Sequence, residues 1–415
     1  MANKVDFEQA RQLVNSRLDE LNSQLRTVNK SIHENPELAY HEFQAHDTIT
    51  AFLEKLGFDV KRKTWGLDTS FEATIGAGGR QVVVCCEYDA LPDIGHGCGH
   101  NLIATSSLAA FLGAAHALSQ LGAPGRLRIL GTPAEEGGGG KAKLIDAGAF
   151  SPAEDIAASI MAHPISVNLM NYGGRSGISG IAGFNLIASH KFRVEFRGVP
   201  AHAAGEPWNG VNALDAAVAA YNNISMLRQQ IRPDERIHGV IEVGGTVPNV
   251  ITDYTRMNWY IRAPTSQRGE LLVKRVKACI EAAGAATGCE VNYIPAATYE
   301  HVISNPTLCK AYIEDMSTLG ERIEVTLPES FNASTDMGNV THVVPGIHGG
   351  FGIQTGPNVS LHSREFAAAA GTDEAHEVAM KSGKGMAMLA LRVLLDDEVA
   401  EKARADFEKR YEQEK

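Results

Sequence analysis

Four short stretches of the 415-residue chain carry side chains that ligate metals or move protons. His96-Gly-Cys98-Gly-His100 offers a thiol and imidazoles on a backbone that glycine lets bend, so Cys98 and His100 can reach one ion. Glu135-Glu136 is a pair of adjacent carboxylates flanked tightly by Pro133 and by Gly137 to Gly140. Burying both is costly unless a cation neutralises them. His163 ends an apolar run and precedes Pro164, and His362 lies in Leu361-His-Ser-Arg-Glu365. Taken singly, each stretch has a plain structural alternative: a glycine-rich turn around a buried thiol, a solvated acidic loop, a satisfied structural histidine. Taken jointly, Cys98, His100, Glu136, His163 and His362 supply more ligands than one tetrahedral zinc takes. Such a set suits two divalent metal ions with a shared ligand, and Glu135 then sits where it can deprotonate a bridging water. Rival chemistries lack their signatures. No G-x-S-x-G elbow occurs. The run Gly137 to Gly140 leads into Lys141-Ala142, not the Lys-Ser or Lys-Thr of a phosphate loop. A nucleophilic Cys98 stays open but has no local signature.

The elements that must position these residues are legible as strands and helices. Apolar runs over 82–86, 127–130 and 156–162 each end in polar residues, Glu87-Tyr-Asp89, Pro133-Ala-Glu-Glu136 and His163. Helix-compatible stretches over 106–121 and 141–147 lie between them, which predicts an α/β domain with a mostly parallel sheet. In such sheets ligands bind beyond the carboxyl ends of the strands. Val14, Leu18, Leu21, Leu25, Val28 and Ile32 mark one face of a first helix that Asn35-Pro36 ends. A second helix is predicted over 43–56.

The pattern changes near residue 188. A half-buried strand around Phe192, Val194 and Phe196 is followed by a helix (208–230), strands (237–243 and 254–262), a helix (267–286) and a strand (289–299). That β-α-β-β-α-β order is ferredoxin-like and looks inserted. The expected division is 1–187 and 301–415 as the two parts of one domain, with 188–300 as the insert. The chain closes on a helix over 374–395 and a charged tail, 396–415.

Composition excludes several roles. The net charge of −11 argues against nucleic acid as a partner. The N-terminus has no apolar h-region, and the stretch 102–118 is broken by Thr105, Ser106, Ser107 and His116, so neither a secretory leader nor a membrane span is expected. Six cysteines in a long chain without a leader read as free thiols or ligands, and a cytoplasmic location is expected.

In this order the motifs resemble the aminoacylase/carboxypeptidase superfamily of two-metal amidohydrolases. His33-Glu-Asn-Pro-Glu37, Asp89-Ala-Leu-Pro92, Cys98-Gly-His100, Pro133-Ala-Glu-Glu-Gly137, Ala162-His-Pro164, Gly198-Val-Pro-Ala-His202, Val247-Pro-Asn-Val-Ile251 and Leu361-His362 carry the resemblance over most of the chain. Cys98 points to the amidohydrolase branch, where a cysteine stands for the carboxypeptidases' bridging aspartate. Glu87-Tyr-Asp-Ala-Leu-Pro92 and Asn101, where the branch has aspartate, are similar to the subgroup of p-aminobenzoyl-glutamate hydrolase and the β-alanyl-lysine-type dipeptidase. The resemblance implies that Cys98 bridges the metals, with His100, Glu136, His163 and His362 completing their shells and Glu135 as general base. By ligand chemistry a thiolate favours zinc, while the carboxylate and imidazoles also suit manganese or cobalt. The carboxypeptidases' histidine ligand two residues before Asp89 is here Glu87, so no ligand is expected from that strand, and Asp89 is left to orient or support. The insert is implied to be a lid and the contact of a homodimer, its His202 stabilising the oxyanion and Asn249 and Arg262 holding the substrate carboxylate. The implied substrate is an N-acyl or N-aminoacyl amino acid, dipeptide-like, with a free carboxylate. A non-catalytic relative that binds such conjugates is the alternative.

Overall fold

The computed structural model describes residues 6–327 and 332–414. The first residues of the polar N-terminus and the last of the charged tail lie outside them. The strands are β1 (Val60–Arg62), β2 (Phe71–Ala77), β3 (Gln81–Cys86), β4 (Gly125–Gly131), β5 (Ile156–Ser166), β6 (Gly180–Ile181), β7 (Ala188–Arg197), β8 (Arg236–Val243), β9 (Tyr254–Ala263), β10 (Glu290–Pro295), β11 (Ile323–Glu324) and β12 (Gly346–Ile353). The chain divides into two compact units. Leu186–His301 together with Asn332–Thr335 form one, and the remaining described residues form the other.

In the larger unit, eight strands make one sheet in the order β1-β2-β4-β3-β5-β12-β6-β11. The neighbours from β4 through β3 and β5 to β12 are parallel. Antiparallel pairing appears at the margins, where β2 joins β1 and β4 and where β6 joins β12. The sheet is apolar on both faces, as a parallel sheet covered by helices must be. Val82, Val84 and Cys86 of β3 point into one core, with Leu18, Leu108 and Phe111. Val83 and Cys85 point into the other, with Leu144, Phe150 and Met337.

The first core is built around the helix His100–Leu121, packed between Phe7–Glu34 and Asp373–Leu395. Asp6 caps Phe7–Glu34 by accepting from the backbone N–H groups of Glu8 and Gln9. Its buried stripe is Val14, Leu18, Leu21, Leu25, Val28 and Ile32. The helix His100–Leu121 is long and apolar enough to cross a membrane by length and composition, unlike the broken stretch read from sequence, and 89% of its apolar window is buried inside the unit.

Two boundaries near the proposed ligands differ from the sequence reading. That helix starts at His100, not near Ser106, because Gly99 at φ 75° turns the chain directly into it. A Cβ at Gly99 would also sit 2.6 Å from Pro164 Cγ. Strand β5 continues through His163 to Ser166, since β12 pairs along it from Gly346↔Ser159 to Ile353↔Ser166. His163 therefore lies within a strand and not after its end.

The smaller unit is an antiparallel sheet, β10-β7-β9-β8, with the helices Ala213–Leu227 and Ser266–Thr287 packed on it. Thr255, Met257, Trp259, Ile261 and Ala263 of β9 are buried and alternate with more exposed residues, the period-2 signature of a one-sided sheet. The order of elements is the ferredoxin-like one. Strand β10 ends at Pro295, four residues short of the strand read from sequence.

Candidate active site

Six of the residues singled out by type converge in the larger unit. Ligand atoms of Cys98, His100 and His163 lie within 4.8 Å of one another, and so do those of Cys98, Glu136 and His362. Cys98 is common to both groups. A third group joins His100 to Glu135 and Glu136. Cys98 Sγ is 3.4 Å from His163 Nε2, and His362 Nε2 is 3.5 Å from Glu136 Oε1.

The histidine tautomers follow from their outer partners. His100 Nδ1 donates to Asp89 Oδ1 at 2.9 Å, and His163 Nδ1 donates to the Pro164 carbonyl at 2.7 Å. Both rings therefore turn Nε2 towards the site, the carboxylate– or carbonyl–histidine arrangement common behind metal ligands; burial works against charge on His100, but the Asp89 carboxylate holds its ring well above the usual imidazole range. Burial, and then His100, push His163 down to about 3, so its ring stays neutral. Asp89 has a second task. Its Oδ2 accepts from the Glu136 N–H at 2.8 Å, tying the two ligand-bearing segments together.

The Glu135-Glu136 turn is held by residues that sequence did not single out. Ala134 takes φ 62°, and its N–H donates to buried Glu42 Oε1 at 2.9 Å. Glu42 Oε2 accepts from Thr69. Below the turn, Lys141 is fully buried and bonds the carboxylates of Glu87 and Asp336. Glu87 Oε2 in turn lies 3.6 Å from His100 Nε2. Charge adjacent to a glycine run was the sequence signal for Lys141. Asp336 carried none.

Charge is strongly unbalanced here. Glu87, Asp89, Glu135 and Glu136 gather around the His100 ring, and Glu87 and Asp336 around the Lys141 ammonium. Burial, and then Glu136, Glu87 and Asp336, raise the Glu135 carboxyl well above the usual range. Burial, and then Glu136, likewise raise the Cys98 thiol. His100 Nε2, Glu136 Oε1 and Glu87 Oε2 are buried without a hydrogen-bond partner. Unsatisfied buried acceptors at an acidic centre cost several kcal/mol by order of magnitude. Divalent cations would satisfy the nitrogen, the thiolate and the carboxylates at once, so the donor set fits metals.

The other three residues lie in the smaller unit. His202 is exposed, and its Nδ1 accepts from the Ala204 and Gly205 N–H groups at 3.2 and 3.0 Å. Its proton therefore sits on Nε2. Asn249 is exposed on the strand-like segment that pairs with His202, its carbonyl accepting from Ala203 N–H at 3.1 Å. Arg262, half-buried on β9, donates to Ser334 Oγ at 2.9 Å and to His238 Nε2 at 3.2 Å. His238 is a partner that sequence did not mark.

Residues 86–381 match the family described as Peptidase family M20/M25/M40. A mouse protein named Xaa-Arg dipeptidase is 40% identical over 416 residues, covering 96% of this chain and 92% of its own. One of the chains of p-aminobenzoyl-glutamate hydrolase from Escherichia coli K12 is 29% identical, over 70% of this chain and 61% of its own. Among solved structures, a Bacillus subtilis protein described as a dinuclear metal-binding peptidase shares the fold. It is 20% identical, with a TM-score of 0.64 over 91% of this chain and 99% of its own.

Proposed function

The chain belongs to peptidase family M20/M25/M40 and is a hydrolytic enzyme of amide bonds, and from that premise we propose a two-metal site acting on dipeptides. The observation that carries the two-metal reading is that Cys98 belongs to two ligand groups at once, one with His100 and His163 and one with Glu136 and His362. A thiolate favours zinc, while the imidazoles and carboxylates also suit manganese or cobalt. When bound, two such cations supply Lewis acidity and neutralise developing negative charge.

The protein's own residues do the rest. Glu135, whose proton affinity is raised by burial and by its acidic neighbours, takes a proton from the attacking water. It returns that proton to the leaving nitrogen, as a carboxylate tuned towards neutrality can. His202 carries its proton on Nε2 and is equipped to donate it to an oxyanion. Arg262 and Asn249 hold the substrate's carboxylate, Arg262 through a planar fork. Sequence identity of 40% along 96% of the chain with a protein named Xaa-Arg dipeptidase favours dipeptides with a basic C-terminal residue.

The test is a hydrolysis screen of the metal-loaded protein with Xaa-Arg, β-alanyl-lysine, p-aminobenzoyl-glutamate and hippurate, repeated on Glu135→Ala. We expect the basic dipeptides to be cleaved best. Glu135→Ala should lose about 10²–10⁴ in kcat with metal content unchanged. Wild-type turnover in the loaded variant would exclude Glu135 as the base, and preference for p-aminobenzoyl-glutamate would reverse the substrate assignment.

We also propose that the smaller unit mediates a homodimer. Its Trp208, Met226 and Val240 are 76%, 68% and 57% exposed, and β8 is an open sheet edge. Light scattering that returns a monomer mass at micromolar concentration would exclude it.

A further inference from the structure

Four arginines stand on β7 and β9, and three of them hold a carboxylate. Arg193 and Arg256 share Glu242, at 2.9 and 2.7 Å, and Arg197 lies 3.4 Å from Glu195. Arg262 has no carboxylate partner among the described residues. Its partners are neutral: Nε donates to His238 Nε2 at 3.2 Å and Nη1 to Ser334 Oγ at 2.9 Å. A half-buried guanidinium in a neutral shell lacks the anion that would offset its desolvation.

The strand register explains why His238 is the partner. His238 of β8 stands opposite Tyr260 of β9, and Arg262 is the diagonal neighbour on the same face. The His238 ring lies 5.6 Å from the Tyr260 ring, and the Arg262 guanidinium 6.0 Å from it. Because Nε2 accepts from Arg262, it carries no proton. Burial, and then Arg262, hold His238 below the usual imidazole range, which keeps that lone pair available. Ser334 belongs to the same unit, where the neighbouring Ala333 carbonyl accepts from the Ile187 N–H at 3.0 Å. Arg262 thus spends its Nε–H on His238 and one Nη1–H on Ser334. The rest of Nη1 and all of Nη2 stay free at the tip of the fork.

We propose that His238 is a positioning residue for substrate recognition: by holding Arg262 through Nε, it leaves the Nη1–Nη2 end of the guanidinium to take the C-terminal carboxylate of the dipeptide. This rests on the reading above that Arg262 holds that carboxylate. His238 acts through Arg262 and takes no part in breaking the amide bond.

The experiment compares metal-loaded wild type, His238→Phe, His238→Gln and Arg262→Ala. It measures kcat and KM for β-alanyl-lysine, and Ki for its C-terminal amide as a competitor. Phe keeps a ring against Tyr260 but offers no acceptor, whereas the Gln carbonyl oxygen can accept from Arg262 at similar reach. His238→Phe should raise KM by about 10-fold, the scale of a hydrogen bond to a charged group. Its kcat should stay close to wild type, the pattern of binding lost equally from ground and transition states. His238→Gln should restore KM. The amide has no carboxylate to lose, so its Ki should be the same for wild type and both His238 variants. A general disturbance of the sheet would instead weaken acid and amide alike and would not be rescued by Gln. Either of those results overturns the proposal. Unchanged KM in His238→Phe, with KM raised in Arg262→Ala, also overturns it and leaves the Arg262 reading standing. Unchanged KM in Arg262→Ala removes that reading itself.

Discussion

Asp89 links two ligand-bearing segments with one carboxylate, Oδ1 on His100 and Oδ2 on the Glu136 N–H. Asn in its place has one acceptor and one donor, so it can satisfy only one of these. Asp89→Asn should therefore weaken metal binding by about 10–100-fold, with a smaller loss of stability in the metal-free protein. Metal titration beside a urea melt of the chelated protein separates the two effects, and unchanged affinity would remove Asp89 from its orienting role. Lys141 is the opposite case, a residue for stability. Lys141→Met leaves Glu87 and Asp336 buried with their partner gone, and should cost about 3–5 kcal/mol, read as a lower urea midpoint at constant slope. A loss under 1 kcal/mol would mean that the pair relaxes to water. At this scale the metal-binding set was legible because cysteine, histidine and carboxylate announce their chemistry by type. Asp336 was not, since it meets Lys141 across 195 positions of sequence and nothing local marks it. Glu42, which bonds the Ala134 N–H across 92 positions, was hidden for the same reason.

The turn between β4 and the helix Gly140–Asp146 shows what an element adds to its residues. Ala134 at φ 62° and Gly137 at φ 90° fold the chain back so that Glu135 and Glu136 both point inward. The return is so close that a Cβ on Gly140 would lie 1.7 Å from the Pro133 carbonyl oxygen. Gly140→Ala must push that carbonyl away and take the paired glutamates with it. It should cost roughly 1–3 kcal/mol of stability and a larger share of kcat than of KM, since Glu135 moves relative to the scissile bond. Thermal melts and steady-state kinetics together check this, and wild-type kcat in a folded variant would show that the turn tolerates the shift. The glycine run read from sequence as a border to ligands is here a backbone requirement, which composition alone could not tell from a flexible loop. Strand ends were harder to read. His163 was placed after its strand because polarity and Pro164 suggested a stop. The ladder with β12 carries β5 three residues past it, to Ser166. Tertiary pairing of this kind overrides local pattern and leaves no trace in it.

For the molecule as a whole, the larger unit is discontinuous. The insert departs after Asn185, and the chain supplies Asp336 and β12 only after it returns. The parallel-sheet core and the ferredoxin-like insert were legible because each has its own hydrophobic period. The joining of Phe7–Glu34 to Asp373–Leu395, near opposite ends of the chain, was not. That junction also carries an acid-sensitive group. His376 Nε2 donates to Asn22 Oδ1 at 2.7 Å, and its Nδ1 is buried without a partner. Burial, and then the charge of Arg26, push His376 down to about 4. The unfolded chain binds that proton near pH 6.5, so between about 6.5 and 4 the unfolded state holds more protons than the folded one. Stability from neutral His376 is then whole above pH 6.5 and declines as pH falls towards 4. His376→Gln keeps a donor towards Asn22 and removes the titration. In chelated protein, where metal release cannot mask the effect, its Tm should fall less steeply than wild type between pH 6.5 and 4. Parallel Tm curves for the two proteins would show that His376 takes its proton without loss of the helix contact, and would move the acid sensitivity of the fold to other buried histidines such as His348.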